Sequence, residues 1–201
     1  MSQRAGSPQS SLVSPGTLVL LGMIAFTVAY RLLVHFAAGD MPYNFTPVEA
    51  MALFGGAFFA DRRLAIAIPL IAMACADVVI AFALPAAQIS EWLLVVPVIY
   101  GCVALTAFGG FALRGRVRTS NVLIAALASA TGFYLVTNFF TWATTVMYPH
   151  TFGGLIACYV AGWPFYQNGT LAGTLVWSAV LFGGFALLGR RWTTLRLTAA
   201  H

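Results

Sequence analysis

Lysine is missing from this chain of 201 residues, whose ten basic side chains are all arginines. Without lysine there is no Walker lysine and no Schiff-base lysine, so the chain cannot by itself drive a pump with ATP. G-x-S-x-G and H-E-x-x-H strings are absent too, which removes the usual serine nucleophile and zinc-helix signatures. Acidic residues number only five and charged residues make up 7% of the sequence. The three cysteines, Cys75, Cys102 and Cys158, are dispersed without a C-x-x-C pair and read as small buried hydrophobes. Neither His35 nor His150 has a second histidine three or four positions on, so both read as interfacial side chains. The expectation is a protein that is not an enzyme and holds no metal and no cofactor.

Apolar residues are what the chain has in quantity: 61% of the sequence, with a mean hydropathy of +0.90. A soluble core cannot absorb that share, so the chain is read as an integral membrane protein. Apolar windows of ~20 residues, enough to cross ~30 Å of hydrocarbon, fall around 17–36, 64–84, 92–113, 120–140 and 169–188. The window 46–60 is shorter and rich in Gly and Ala, open between a thin span, a re-entrant piece and a buried helix. Counting it gives six crossings. On that count Arg4, Arg62, Arg63, Arg114, Arg116, Arg118, Arg190, Arg191 and Arg196 share one face and only Arg31 falls toward the other. The positive-inside rule makes the arginine face cytoplasmic and places the protein in a bacterial inner membrane with both termini inside. The net charge of +5 is then a matter of orientation and anionic lipid, and nucleic acid is not expected as a partner.

The expected fold is all-α, a polytopic bundle of six transmembrane spans. Residues 1–15 read as a disordered lead, 16–192 as one transmembrane domain and 193–201 as a cytoplasmic tail. The lead is too weakly basic for a cleaved secretory signal.

Three Phe-Gly-Gly triplets run into arginine: Phe54-Gly55-Gly56, Phe108-Gly109-Gly110 and Phe182-Gly183-Gly184. The last two sit in nearly identical strings, FGGFALRGR and FGGFALLGR, so three segments should end alike at one side of the membrane. Small residues recur at helical spacing as Ala52-Gly56-Ala60, Ala125-Ser129 and Ala128-Gly132, marking faces on which helices approach closely. The first of these is a candidate docking face for another protein. Thr46, Pro47 and Glu49 have the spacing of a capping box at the start of span two. Between spans five and six, residues 151–161 are expected to form a short interfacial or re-entrant helix, bounded by Pro149 and Pro164.

On this topology the polar side chains gather in the outer half, and a protein that needed only anchoring has no use for them there. Asp77 stands thirteen residues beyond Leu64, about 20 Å from the inner end of its span, where an unpaired carboxylate costs ~2.5–3.5 kcal/mol. An outward-facing pocket is expected, with Asn44, Glu49, Asp77, Asn138, Tyr148, Trp163 and Asn168 as its candidate residues. Carboxylates would meet cationic or hydroxyl groups, amides would orient the solute and the indole would stack on it. For several of these a purely structural role competes: Glu49 as a cap, Asp77 as a bridge between helices, the asparagines as helix-end bonds.

Asn44-Phe45-Thr46-Pro47-Val48-Glu49-Ala50, Ala52-Leu53-Phe54-Gly55-Gly56-Ala57, Asp77, Val136-Thr137-Asn138-Phe139, Tyr148-Pro149 and Ala161-Gly162-Trp163-Pro164-Phe165 resemble a family of small, functionally uncharacterised bacterial membrane proteins over residues 42–188. That family is similar in hydropathy and motif placement to the substrate-binding S-components of energy-coupling factor transporters. The resemblance implies six spans, an outward pocket for a vitamin-like or metal species, and separate transmembrane and ATPase subunits as partners. The alternatives are a scaffold of the cell envelope and, more remotely, an intramembrane enzyme using Asp77 and Glu49 as acid and base.

Overall fold

The computed structural model describes residues 15–37, 42 and 44–191, and no strand occurs among them. The expected lead up to residue 14, the tail 193–201 and Asp40 lie outside the described residues, as do the side chains of Glu91, Arg190 and Arg191. Six helices follow in order: α1 (Pro15–Phe36), α2 (Val48–Phe58), α3 (Arg62–Ala83), α4 (Ala86–Phe111), α5 (Thr119–Thr144) and α6, which opens at Phe152 and runs to Arg191. Four stretches are long and apolar enough to cross a membrane: Arg62–Ala83, Trp92–Phe111, Thr119–Thr144 and Phe152–Leu187.

The center of the bundle is α2. Its eleven residues reach only ~16 Å, half the hydrocarbon thickness, so it cannot cross alone. Val48 through Gly56 are buried without exception, so the helix is enclosed by its neighbors. Ala52 packs with Ala107 and Val103 of α4. One turn on, α2 and α4 meet backbone to backbone: a Cβ on Gly56 would run into the Ala107 carbonyl oxygen and stand 2.8 Å from Gly110 Cα. Ala60 lies beyond the helix and is exposed. Of the expected docking face Ala52-Gly56-Ala60, the first two members pack within this chain on α4 and Ala60 alone stays exposed.

The three Phe-Gly-Gly triplets do come together. Gly56 and Gly110 form the close crossing, and Phe54 meets Phe182 edge-on at 5.3 Å. Phe58 and Phe185 complete this aromatic floor at 4.4 Å from each other. Arginines gather around it: Arg62 and Arg114 both lie over the Phe111 ring, with the Arg114 guanidinium carbon 4.8 Å from its centroid. Arg114 also closes the end of α2, donating from Nε to the Gly56 carbonyl at 2.8 Å and from Nη2 to that of Phe59 at 2.7 Å. These carbonyls are helix-end groups with no successor turn to satisfy them. Arg114→Ala is expected to lower stability by about 2–4 kcal/mol, from two charged hydrogen bonds at ~1.5–3 kcal/mol each less relaxation. A melting curve in detergent checks it, and Arg114→Lys should recover less than half because one ammonium cannot match the fork.

Two local expectations are overturned. The capping box does not form: Pro47 is the N-cap residue of α2 and the cap makes no side-chain hydrogen bond. Packing sets the entry of the chain instead, since Phe45 and Thr46 press on Gly173 of α6, where a Cβ would stand 3.1 Å from Phe45 Cα. The helix expected over 151–161 starts as anticipated, with the Thr151 hydroxyl accepting from the Gly154 N–H at 3.1 Å. It does not stop at Pro164. Tyr166–Leu171 and Ala179–Gly183 are π-helical, and the Tyr166 N–H is shared between the Gly162 and Trp163 carbonyls, so the backbone re-registers around the proline without breaking. Phe152–Leu187, 36 residues, reaches ~54 Å against ~30 Å of hydrocarbon, so the segment expected at the interface is an extension of the last span.

Candidate functional site

Two polar centers occupy the half of the bundle away from the arginine floor. The first is a cavity of about 210 Å³ where α5, α6 and the chain entering α2 converge. Asn44 enters it from a left-handed backbone (φ +67°), a conformation asparagine tolerates better than most residues. Asn138 and Thr137 come from α5, Gly162 and Phe165 from α6, and Tyr134, Tyr166 and Thr170 complete the wall.

The aromatic wall is held by hydrogen bonds that leave the rings no freedom to swing. Tyr134 donates to the Tyr159 carbonyl at 2.6 Å, and the Tyr166 hydroxyl pairs with that of Thr131 at 2.9 Å. The two rings stack at 4.7 Å, with Trp163 against Tyr166 at 5.3 Å. Asn138 donates from Nδ2 to the Tyr134 carbonyl at 2.9 Å, and Cys158 donates to its main-chain oxygen at 3.3 Å. Gly162 is small because it must be: a Cβ there would collide with Asn138 Oδ1 and stand 2.9 Å from Cγ. No carboxylate, guanidinium or imidazole lines the cavity, so its chemistry is that of amides, hydroxyls and ring faces.

The second center is an ion pair. Arg31 of α1 donates to Asp77 Oδ1, and Tyr100 of α4 donates to Oδ2 at 2.8 Å. Three helices are tied through one carboxylate. Glu49, buried in the first turn of α2, lies within electrostatic reach of Arg31 and of Cys102. Among the described residues no hydrogen bond joins Glu49 to Asp77, whose carboxylate is taken by Arg31 and Tyr100. Among the described residues no group of three or more His, Cys, Asp and Glu side chains could hold a metal ion.

Of the seven candidate residues, Asn44 and Asn138 share the cavity and Trp163 backs its wall. Asp77 and Glu49 belong to the other center. Tyr148 lies in the turn between α5 and α6, and Asn168 is exposed on the first π-helical stretch. Arg31, Tyr100, Tyr134 and Tyr166 were not anticipated; the i to i+4 placement of Tyr134 and Asn138 was the available signal for one of them.

A family model described as "Family of unknown function (DUF6580)" matches residues 12–195. No curated protein and no solved structure matches the chain.

Proposed function

The chain belongs to the DUF6580 family of unknown function, and we propose that it is a membrane-embedded binding protein taking up a small, uncharged, ring-bearing solute from the outer side. The observation that carries this reading is the convergence of Asn44, Asn138, Thr137 and Thr170 with stacked tyrosines on one cavity. Amides orient, ring faces supply stacking, and a site without charge favors a neutral solute over an ion. About 210 Å³ lies below the ~300–1,000 Å³ of sites for drug-sized ligands, which limits the solute to a small one.

The proposed topology is six segments with both termini cytoplasmic in a bacterial plasma membrane, the arginine floor inward. On that orientation α2 is a half-helix rising from the sealed floor, and the segment Asn44–Pro47 comes down to it from outside. Irregular backbone at membrane depth is tolerated where it lines a cavity. Six spans and an outward pocket are what the resemblance to the S-components of energy-coupling factor transporters implies, and on that resemblance transmembrane coupling and ATPase subunits are the proposed partners. No catalytic role is proposed.

The test uses benzamide as a neutral ring probe, with benzoate and benzylamine as its charged counterparts, in thermal shift on the purified chain. Benzamide is expected to raise the melting temperature while the charged pair does not. Asn138→Ala should weaken benzamide binding at least tenfold, a loss of ~1.4 kcal/mol. Equal response to all three probes, or undiminished binding by Asn138→Ala, would overturn the reading. A scaffold role has one observation in its favor, the exposed apolar tip Val146, Met147 and Phe152. Recovery of cell-wall assembly proteins in place of an ATPase on gentle purification would select it.

A further inference from the structure

A second, larger hollow lies between α4 and α5, sharing Phe133 with the wall of the solute cavity. It is an open groove of about 580 Å³, lined by the exposed Leu105 and Ile124 and by Ala128, Gly132 and Val136 among others, with Leu53 at its base. Its shape comes from small residues facing each other across the helix pair. The small-residue faces Ala125-Ser129 and Ala128-Gly132, expected to pack on another helix, face this furrow, and a Cβ on Gly132 would meet nothing within 4 Å. Two hydroxyls in the lining are satisfied on their own helices, Thr106 by the Cys102 carbonyl at 3.0 Å and Ser129 by that of Ala126 at 3.1 Å. The walls therefore ask nothing polar of an occupant.

The end of the furrow does. From Asn121 to Val136 it follows fifteen residue steps of α5, or ~22 Å, and at its arginine-floor end stand Arg116 and Asn121. Arg116 is held by its backbone on both sides: its N–H donates to the Leu113 carbonyl at 2.9 Å, and its carbonyl accepts from Asn121 Nδ2 at 2.7 Å. The turn that places it needs Gly115 at φ +68°. Arg114, two residues earlier, has its guanidinium committed to Gly56 and Phe59. The guanidinium of Arg116 makes no hydrogen bond or ion pair with any described residue and lines the furrow. Asp61 is the one acidic side chain described at this end, against Arg62, Arg63, Arg114, Arg116 and Arg118.

We propose that this furrow is a binding site for an anionic phospholipid of the leaflet at the arginine end, its acyl chain lying between α4 and α5 and its phosphate on Arg116. An apolar groove that starts at an exposed arginine without a partner among the described residues, in the turn between α4 and α5, and runs along the helices has the polarity of a lipid, polar at one end and apolar along its length. Small-residue faces also receive transmembrane helices, but a helix meets Arg116 only if it carries an acidic group at that point, whereas a phospholipid brings its own phosphate. Basic pockets between helices on the cytoplasmic side are suited to lipid phosphates, and guanidinium recognizes them bidentately.

The test is native mass spectrometry of the full-length chain in detergent with dioleoyl phosphatidylglycerol or dioleoyl phosphatidylcholine as probes. One phosphatidylglycerol is expected to survive activation at energies that strip phosphatidylcholine, with at least tenfold preference. Arg116→Gln should abolish the preference while Arg118→Gln keeps it, and Ala128→Leu, which fills the furrow, should release both lipids. Asn138→Ala should leave lipid retention intact, which separates this site from the solute cavity. Equal retention of the two lipids by the unaltered chain, or a preference surviving Arg116→Gln, would overturn the proposal. So would a disulfide-linked pair formed by Ala128→Cys in a Cys75→Ala background, which removes the exposed native thiol, because a second copy would then fill the furrow.

Discussion

Asp77→Ala is expected to destabilize the folded chain by about 3–5 kcal/mol, the range for removing one member of a buried ion pair. The alanine itself is harmless at this depth; the loss comes from what it leaves behind. Arg31 keeps its charge but loses its ion-pair partner, with Glu49 the nearest remaining acidic group named around it, and the Tyr100 hydroxyl loses its acceptor. Replacing both charges avoids this, so Arg31→Met with Asp77→Leu should restore most of the stability, within ~1–2 kcal/mol of the parent. Melting curves in one detergent for the two single variants and the double one give the coupling directly. The same set separates a bridge from a binding group. If Asp77 serves only to join α1, α3 and α4, the double variant binds the solute probe normally; a folded double variant that has lost binding would put Asp77 back in the site.

That pair also shows where the sequence stops being legible. Asp77 was recognizable alone because an unpaired carboxylate deep in an apolar helix is expensive, and Arg31 stood out as the one arginine away from the set expected at the cytoplasmic face. Each exception is the explanation of the other. Forty-six positions separate them, and no local periodicity links residues of different spans, so the pairing needed the packed bundle. The cavity was half legible for the same reason: Asn44 and Asn138 were marked by polarity in apolar surroundings, whereas Tyr134 and Tyr166 pass in sequence for ordinary interfacial aromatics.

Helix ends were misread from local rules. Pro164 reads as a helix end in sequence, yet the Tyr166 N–H is shared between two carbonyls and the helix continues through a π-helical stretch. Thr46 has the side chain and spacing of a cap, and the fold ignores it because Phe45 and Thr46 are fixed by contact with Gly173. Legibility was best where a pattern repeated. Three copies of Phe-Gly-Gly gave the common end of three segments without any structure, although which glycine meets which was beyond the pattern.

The Gly56 to Gly110 crossing leads to the other large expected effect. Gly56→Ala adds a single methyl group and removes a residue that weakens helices by ~1 kcal/mol, so propensity alone favors the change. Sterics oppose it with more force. The methyl would enter the Ala107 carbonyl and crowd Gly110 Cα and C at 2.8 and 2.9 Å, and all three obstacles are backbone. A side chain could rotate aside, but here α2 and α4 must separate and the contacts of Leu53, Ala52 and Val103 go with them. A net loss of about 2–3 kcal/mol is expected, at the upper end of overpacking costs, and Gly56→Leu should leave little folded protein. Gly109→Ala is the matched control, since its nearest neighbor would be a Leu53 methyl at 3.9 Å; it should be neutral or slightly stabilizing in the same melting assay. Gly110→Ala meets the seam from the other side, with the Leu53 carbonyl at 2.5 Å. Once one methyl has spread the helices, the second finds room already made. The Gly56→Ala, Gly110→Ala double variant should therefore fall short of the sum of its parts by ~1 kcal/mol or more, as residues in direct contact do. Strict additivity would mean that the two glycines are not facing each other across one seam.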